Sequence, residues 1–244
     1  MENNGKVALI TGANKGIGFE TAKQLGDLGY TVLVGSRDTT KGQEAVAKLT
    51  ESGITAHHVQ LDVSSKDSIH QAAKDVAGKF DKIDALVNNA AVMIDDYSTK
   101  TSEVGWETLS KTFETNLFGL AETVTAFLPL IQKSEAGRIV NLTSILGSNT
   151  LHGDPTSPIF DAKIPAYDIS KSAVNAYTVH LAHELRNTTI KVNAAHPGWV
   201  KTDMGGENAP TELADGAKTS VKLATLSADG PTGKYIHMDE ELPW

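Results

Sequence analysis

The sequence predicts an α/β fold, a single doubly wound parallel sheet with helices on both faces. Three observations carry that prediction. Short β-branched and apolar runs alternate with longer helical stretches along the chain, and continuous apolar strands belong to sheets covered on both sides. A glycine-rich segment follows the first run directly. The length of 244 residues suits one large α/β domain, which at this size buries about 70% of its extended surface without disulfides.

Val7-Ala8-Leu9-Ile10 reads as the first strand, Gly12 to Gly18 as the turn after it, and a helix runs on to about Leu28. Tyr30 to Val34 is the second strand and Gln43 to Glu51 the second helix. Ala56 to Leu61 follows as a strand, then a helix over Ser68 to Phe80, opened by Ser64 or Ser65 as its cap. Ile83 to Val87 is the fourth strand, and a long helix spans Val104 to Gln132 with a bend near Pro129. Arg138 to Leu142, Ala166 to Arg186 and Ile190 to Ala195 complete the pattern as strand, helix and strand. No repeat or linker divides the chain, so residues 1–244 read as one domain with insertions near 148–165 and 197–215. Both insertions follow strands, on the edge where open α/β sheets bind ligands.

Composition excludes several classes of function. The 22 Lys and Arg against 30 Asp and Glu give a net charge of −8, the wrong sign for a general nucleic-acid or anionic-membrane binder. Zero cysteines exclude disulfides, thiolate catalysis and cysteine-held metals. The start, Met1-Glu2-Asn3-Asn4-Gly5-Lys6, has no basic leader, and no stretch approaches the ~18 apolar residues of a membrane span. A cytoplasmic protein is expected.

The turn reads Thr11-Gly12-Ala13-Asn14-Lys15-Gly16-Ile17-Gly18. Glycines here let the backbone approach a pyrophosphate, and the helix N-terminus adds oriented N–H groups and partial positive charge. At the end of the second strand, Arg37 stands nineteen residues after Gly18, where a carboxylate would bind ribose hydroxyls. A guanidinium fork suits a 2′-phosphate instead, and Lys15 adds a second cation, so NADP(H) is favoured over NAD(H). Farther along, Tyr167 and Lys171 are i,i+4 on one helix face. A free phenol titrates near 10. An ammonium about 5 Å away contributes ~3.3 kcal/mol at an effective dielectric of ~20, roughly 2.4 pKa units.

With Asp62, Asn88-Asn89-Ala90-Ala91, Asn116, Ser144 and Pro197-Gly198 in this order and spacing, the chain resembles the short-chain dehydrogenase/reductase family over essentially its whole length. Within that family it is most similar to NADPH-dependent carbonyl reductases, Leu242-Pro243-Trp244 included. The resemblance implies a Rossmann-type sheet and an Asn116, Ser144, Tyr167 and Lys171 tetrad. Tyr167 would protonate the carbonyl oxygen, Lys171 lower its pKa and bind the nicotinamide ribose, and Ser144 (rather than Thr143) polarise the carbonyl. Asn116 would interrupt its helix and hold a water leading from Lys171 to solvent. The cofactor would lie against Gly12, Asn14, Lys15, Gly16, Ile17, Gly18 and Arg37, with Asp62 and Val63 at the adenine. Asn89 and Ala90 would border it, Pro197 and Gly198 would complete its site, and Val200 and Thr202 would meet the nicotinamide amide.

The sequence departs from the family pattern twice. Ala91 stands where the family usually has glycine, and Ser144 precedes Tyr167 by 23 residues, roughly ten more than in compact members. The extra residues, within Ser148 to Pro165, are expected to form a pocket wall and to crowd the outer face of the Tyr167 helix. That favours a monomer over a homo-oligomer. The function expected is NADPH-dependent reduction of aldehydes or ketones to alcohols, reversibly, on a small-molecule substrate. The alternatives are a 3-oxoacyl-thioester reductase and a non-catalytic NADP(H)-sensing protein. No metal site is expected from His180 and His183, His196 reads as loop packing, and Asp95-Asp96 as a solvated loop.

Overall fold

The structure, a computed structural model, describes residues 4–244. The expectation of no leader at Met1-Glu2-Asn3 lies outside the described residues. The first half alternates strictly: β1 (Val7–Thr11), α1 (Gly16–Asp27), β2 (Thr31–Ser36), α2 (Thr39–Glu51), β3 (Ala56–Gln60), α3 (Lys66–Ala77) and β4 (Ala85–Asn88). Then come α4 (Trp106–Phe113), α5 (Gly119–Ile131), β5 (Arg138–Leu142), α6 (Asn149–Gly153), α7 (Pro165–Glu184) and β6 (Lys191–Ala195). The chain finishes with α8 (Leu213–Ala224), β7 (Tyr235–His237) and β8 (Glu240–Glu241).

The strands lie in the order β3-β2-β1-β4-β5-β6-β7-β8, all neighbours parallel except the short β7–β8 pair. The order reverses between β1 and β4, which opens the crevice where such sheets take ligands. Alternation along each strand divides the core in two. Leu9, Leu33, Leu86, Ile139 and Val192 pack with α3, α5 and α7 residues such as Ile69, Phe127 and Leu181. Ile10, Val34, Val87 and Val140 face the other way, onto α1, α2 and α8 through Leu25, Leu49 and Leu223. Burial on both faces is why these strands read as unbroken apolar runs.

The starts of α2 and α3 follow capping chemistry. The Asp38 carboxylate accepts the Lys41 N–H at 3.0 Å to open α2. Of the two serine candidates for α3, Ser65 is the cap, accepting from Ser68 N–H at 3.3 Å.

Three expectations change. The long helix over Val104 to Gln132 is two helices joined through a π-turn at Glu114–Phe118, and this irregularity, not Pro129, marks it. α8, β7 and β8 were not anticipated; Leu213-Ala214-Asp215, taken as the end of an insertion, already belong to α8. The strands β7 and β8 span only three and two residues, too short for a periodic signal.

Candidate active site

The turn after β1 holds Gly12 and Gly16 at φ of +63° and +59°, a left-handed backbone that glycine adopts freely. A Cβ on Gly18 would sit 2.5 Å from Asn89 Nδ2 and 2.7 Å from the Gly12 carbonyl, so only glycine lets α1 start this close to the sheet. Asn89 fastens the turn: Nδ2 donates to the Thr11 carbonyl at 2.8 Å, while the Asn89 and Ala90 N–H groups both donate to Thr11 Oγ1 at 3.0 Å. No side chain caps α1, and its first turn carries no acid. Uncapped N–H groups at a glycine-lined helix start, with no acid in the first turn, fit a pyrophosphate.

The other residues expected at the nucleotide lie on the segments that follow β2, β3 and β6. Arg37 is exposed at the end of β2 and has no acidic partner among the described residues. The one carboxylate next to it, Asp38, is committed to capping α2. Asp62 accepts from the Ser64 N–H and hydroxyl at 3.0 and 2.7 Å, and Val63 packs on the core face beside α5. Pro197 and Gly198, with φ of +90° at Gly198, follow β6; Val200 is buried and Thr202 lies over Gly16. Lys15 Nζ is 2.5 Å from Asp203 Oδ2, both side chains largely exposed.

The four residues expected as a tetrad stand on the loop after β5 (Ser144), the π-turn (Asn116) and α7 (Tyr167 and Lys171). Asn116 is buried in the π-turn, and such a turn frees it from regular helical spacing. Its Oδ1 accepts the Val92 N–H at 2.8 Å, and its Nδ2 donates to the Val92 carbonyl and to Ser170 Oγ, each at 2.9 Å. Ser144 stands two residues beyond β5. Its Oγ accepts the Leu146 N–H at 3.2 Å, and its hydroxyl lies beside that of Tyr167, where it favours the phenolate. Thr143, the competing hydroxyl, points instead to the Lys171 carbonyl at 3.3 Å.

The electrostatics differ from the expectation. Burial pushes the Tyr167 phenol up to about 12, and the Ser144 hydroxyl opposes burial without overcoming it. Burial likewise pushes the Lys171 ammonium down to about 8. Lys171 Nζ donates to the Leu142 carbonyl at 2.9 Å and lies 5.6 Å from the Tyr167 ring centre. Desolvation therefore outweighs the pull between the two groups. The phenol stays protonated at neutral pH, the state a proton donor requires.

Sequence reasoning missed the supports. Asp95 is buried, not solvated: Oδ2 accepts the Ala166 N–H at 2.6 Å and Oδ1 the Tyr167 N–H at 3.3 Å. It caps α7 in place of Ile164, which offers no side-chain oxygen; only Asp96 of that pair faces solvent. Burial pushes the Asp168 carboxyl up to about 7, helped by Asp95 and opposed by the Ile164 N–H. The 148–165 segment packs on the outer face of α7. Asn149 Oδ1 accepts from Ser172 Oγ at 3.2 Å, and His152 Nε2 lies 3.4 Å from Asp168 Oδ2. His196 is buried packing, accepting the Ile145 N–H on Nδ1 at 3.1 Å. Among the described residues no cluster of three or more His, Asp or Glu is arranged to hold a metal, and no helix is long and apolar enough to cross a membrane.

The chain is similar to known proteins over nearly its whole length. The chain is 33% identical to short-chain dehydrogenase/reductase 1 of Saponaria officinalis, over 98% of this chain and 96% of the relative. It is 31% identical to carbonyl reductase (NADPH) 1 of Sus scrofa, over 100% of this chain and 96% of the relative. The structure of NADPH-bound carbonyl reductase from chicken fatty liver superposes with a TM-score of 0.83 at 26% identity, covering 100% of both chains. Salutaridine reductase from Papaver somniferum gives 0.81 at 29% identity, covering 96% of this chain and 99% of that one. Residues 6–213 match the short chain dehydrogenase family, and the chain therefore belongs to that family of oxidoreductases.

Proposed function

We propose that the protein reduces aldehyde or ketone carbonyls to alcohols with NADPH, reversibly. The observation that carries this is the juxtaposition of the Ser144 and Tyr167 hydroxyls with Lys171 Nζ 5.6 Å from the Tyr167 ring centre. It stands on the same sheet edge as the uncapped glycine turn. NADPH, when bound, supplies the hydride. Gly12, Asn14, Gly16, Ile17 and Gly18 would hold its pyrophosphate end, Arg37 and Lys15 its 2′-phosphate, and Asp62 and Val63 its adenine. Asn89, Ala90, Pro197, Gly198, Val200 and Thr202 would line the rest. For Lys15 to take that part, it must leave Asp203, to which it is held only by an exposed, solvent-screened ion pair.

Ser144 orients the substrate carbonyl, and Tyr167 donates its phenolic proton to the carbonyl oxygen as negative charge develops there. Lys171, placed behind the ring, stabilises the phenolate left behind. Asn116 fixes Val92 and Ser170 around the pair and would lead the replacement proton in through water. The packing of the 148–165 segment against α7 supports a monomer.

Following NADPH oxidation with aldehydes, ketones and 3-oxoacyl thioesters tests the reading. We expect turnover of simple carbonyls, a preference for NADPH over NADH, and a loss of about 10²–10⁴-fold in Tyr167→Phe with NADPH binding retained. Turnover of thioesters alone moves the assignment to a 3-oxoacyl-thioester reductase. NADPH binding without any turnover moves it to a dinucleotide-sensing protein.

A further inference from the structure

The peptide group between Ser144 and Ile145 is gripped at both ends. Tyr235, from β7, donates its hydroxyl to the Ser144 carbonyl at 2.5 Å, across 91 residues of sequence. His196, just past β6, accepts the Ile145 N–H on Nδ1 at 3.1 Å. Both side chains are buried, with 0% and 7% of their surface exposed. Each is itself held. The Tyr235 ring stacks on Trp244 at 5.5 Å and 23°. The His196 ring lies 4.7 Å from that of His237, whose Nδ1 is 3.0 Å from the His196 carbonyl. The segment after β8 ties down the chain beyond Ser144 as well. The Pro243 carbonyl accepts from Ser148 Oγ at 2.7 Å, and the Trp244 carbonyl from the Thr150 N–H at 2.9 Å.

We propose that Tyr235 and His196 are positioning residues for Ser144, clamping the Ser144–Ile145 peptide plane and so aiming the Ser144 hydroxyl. The inference rests on the carbonyl-reductase reading for its catalytic consequence, not for the clamp. Ser144 sits in extended backbone, φ −151° and ψ 151°, at the mouth of a one-turn 3₁₀ segment. Rotation about its ψ swings the carbonyl and the Cβ direction relative to one another. Locking both ends of the following peptide removes that freedom, and orientation of this kind is what a hydroxyl that must meet a developing charge depends on. The acceptor role needs an unprotonated Nδ1, and burial with the neighbouring His237 pushes His196 down to about 3.

Tyr235→Phe tests it, because the ring and its stack on Trp244 remain while only the hydroxyl is lost. We expect kcat to fall about 10-fold with KM for NADPH unchanged, and melting temperature to drop only by the few degrees that one unpaired carbonyl costs. In a Ser144→Ala background the same change should cost less than about 2-fold, because there is no hydroxyl left to aim. Wild-type kcat in Tyr235→Phe, or an equal loss in both backgrounds, overturns the proposal. His196→Asn, which keeps an acceptor at the Nδ1 position, should retain turnover that His196→Ala loses; equal loss in the two would also overturn it. Amide hydrogen exchange over residues 144–150 reads the clamp without any substrate. Faster exchange there in Tyr235→Phe, with the core strands unchanged, supports it, and unchanged exchange refutes it. Absence of carbonyl turnover by the wild type would defeat the functional reading alone.

Discussion

The two sides of the crevice between β1 and β4 are built from different materials. On the β1–β3 side the site is backbone: a turn with two left-handed glycines, an uncapped helix start and exposed cations. On the β4–β7 side it is a web of buried amides and hydroxyls. Asn88 Nδ2 donates to Asn141 Oδ1 and Asn141 Nδ2 to Thr178 Oγ1, each at 2.9 Å, linking β4, β5 and α7. Asn116 reaches Ser170, Asp95 reaches the first turn of α7, and Tyr235 reaches Ser144. A backbone cradle tolerates change at its rim because its N–H groups remain whatever the side chains do. A web of buried polar groups is coupled, and losing one member leaves the others without partners.

Changes on the two sides should therefore differ in kind. The largest effect is expected from Asn141→Ala, which orphans the Asn88 amide, strips the Thr178 hydroxyl of its donor and leaves a gap at a fully buried position. It should lower unfolding free energy by about 2–5 kcal/mol, measured by urea titration, and a loss under about 1 kcal/mol would break the contrast. Next is Asp168→Asn, which should raise stability. The folded pKa of Asp168, about 7, is above its unfolded value of 3.8. The folded state thus keeps a proton that the unfolded state has released, and this group's contribution falls as pH rises from 4 to 7. Asparagine does not titrate, so the variant should equal wild type near pH 4 and gain on the order of 2–4 kcal/mol above pH 7. A constant offset across that range in thermal melts would contradict the assignment. Smallest is Arg37→Asp on the cradle side, expected to weaken NADPH binding by about 1.5–3 kcal/mol in calorimetry. Its exposed position should leave the melting temperature within a degree or so.

The same division explains what could be read from the residues. The glycine turn, the six long strands and the Tyr167–Lys171 spacing are local patterns, each decided within a few residues. Asn89 was legible because its motif is contiguous. Asp95, Val92, His196 and Tyr235 were not: each meets its partner only after the chain has folded, 24 to 91 residues away. Asp95 sits beside Asp96 in a polar run that reads as solvated, yet it caps a helix that begins with proline and has no cap of its own. The Tyr167 pKa was misjudged for a related reason. The Lys171 spacing is visible in sequence, but the desolvation that outweighs it depends on everything packed around the ring.

The π-turn at Glu114–Phe118 restricts how this chain can be edited. A wide turn accommodates one residue more than regular α-helix would, so α4 and α5 are out of phase by roughly the 100° that one helical residue occupies. Deleting a single residue there would heal the helix and wreck its bearings. Either Asn116 would swing off Val92 and Ser170, or Leu120, Val124, Phe127 and Ile131 would rotate off the sheet. An irregularity that locally costs hydrogen-bond geometry is thus fixed in length by the two faces it keeps in step, and drift in sequence length must be absorbed in the loops instead.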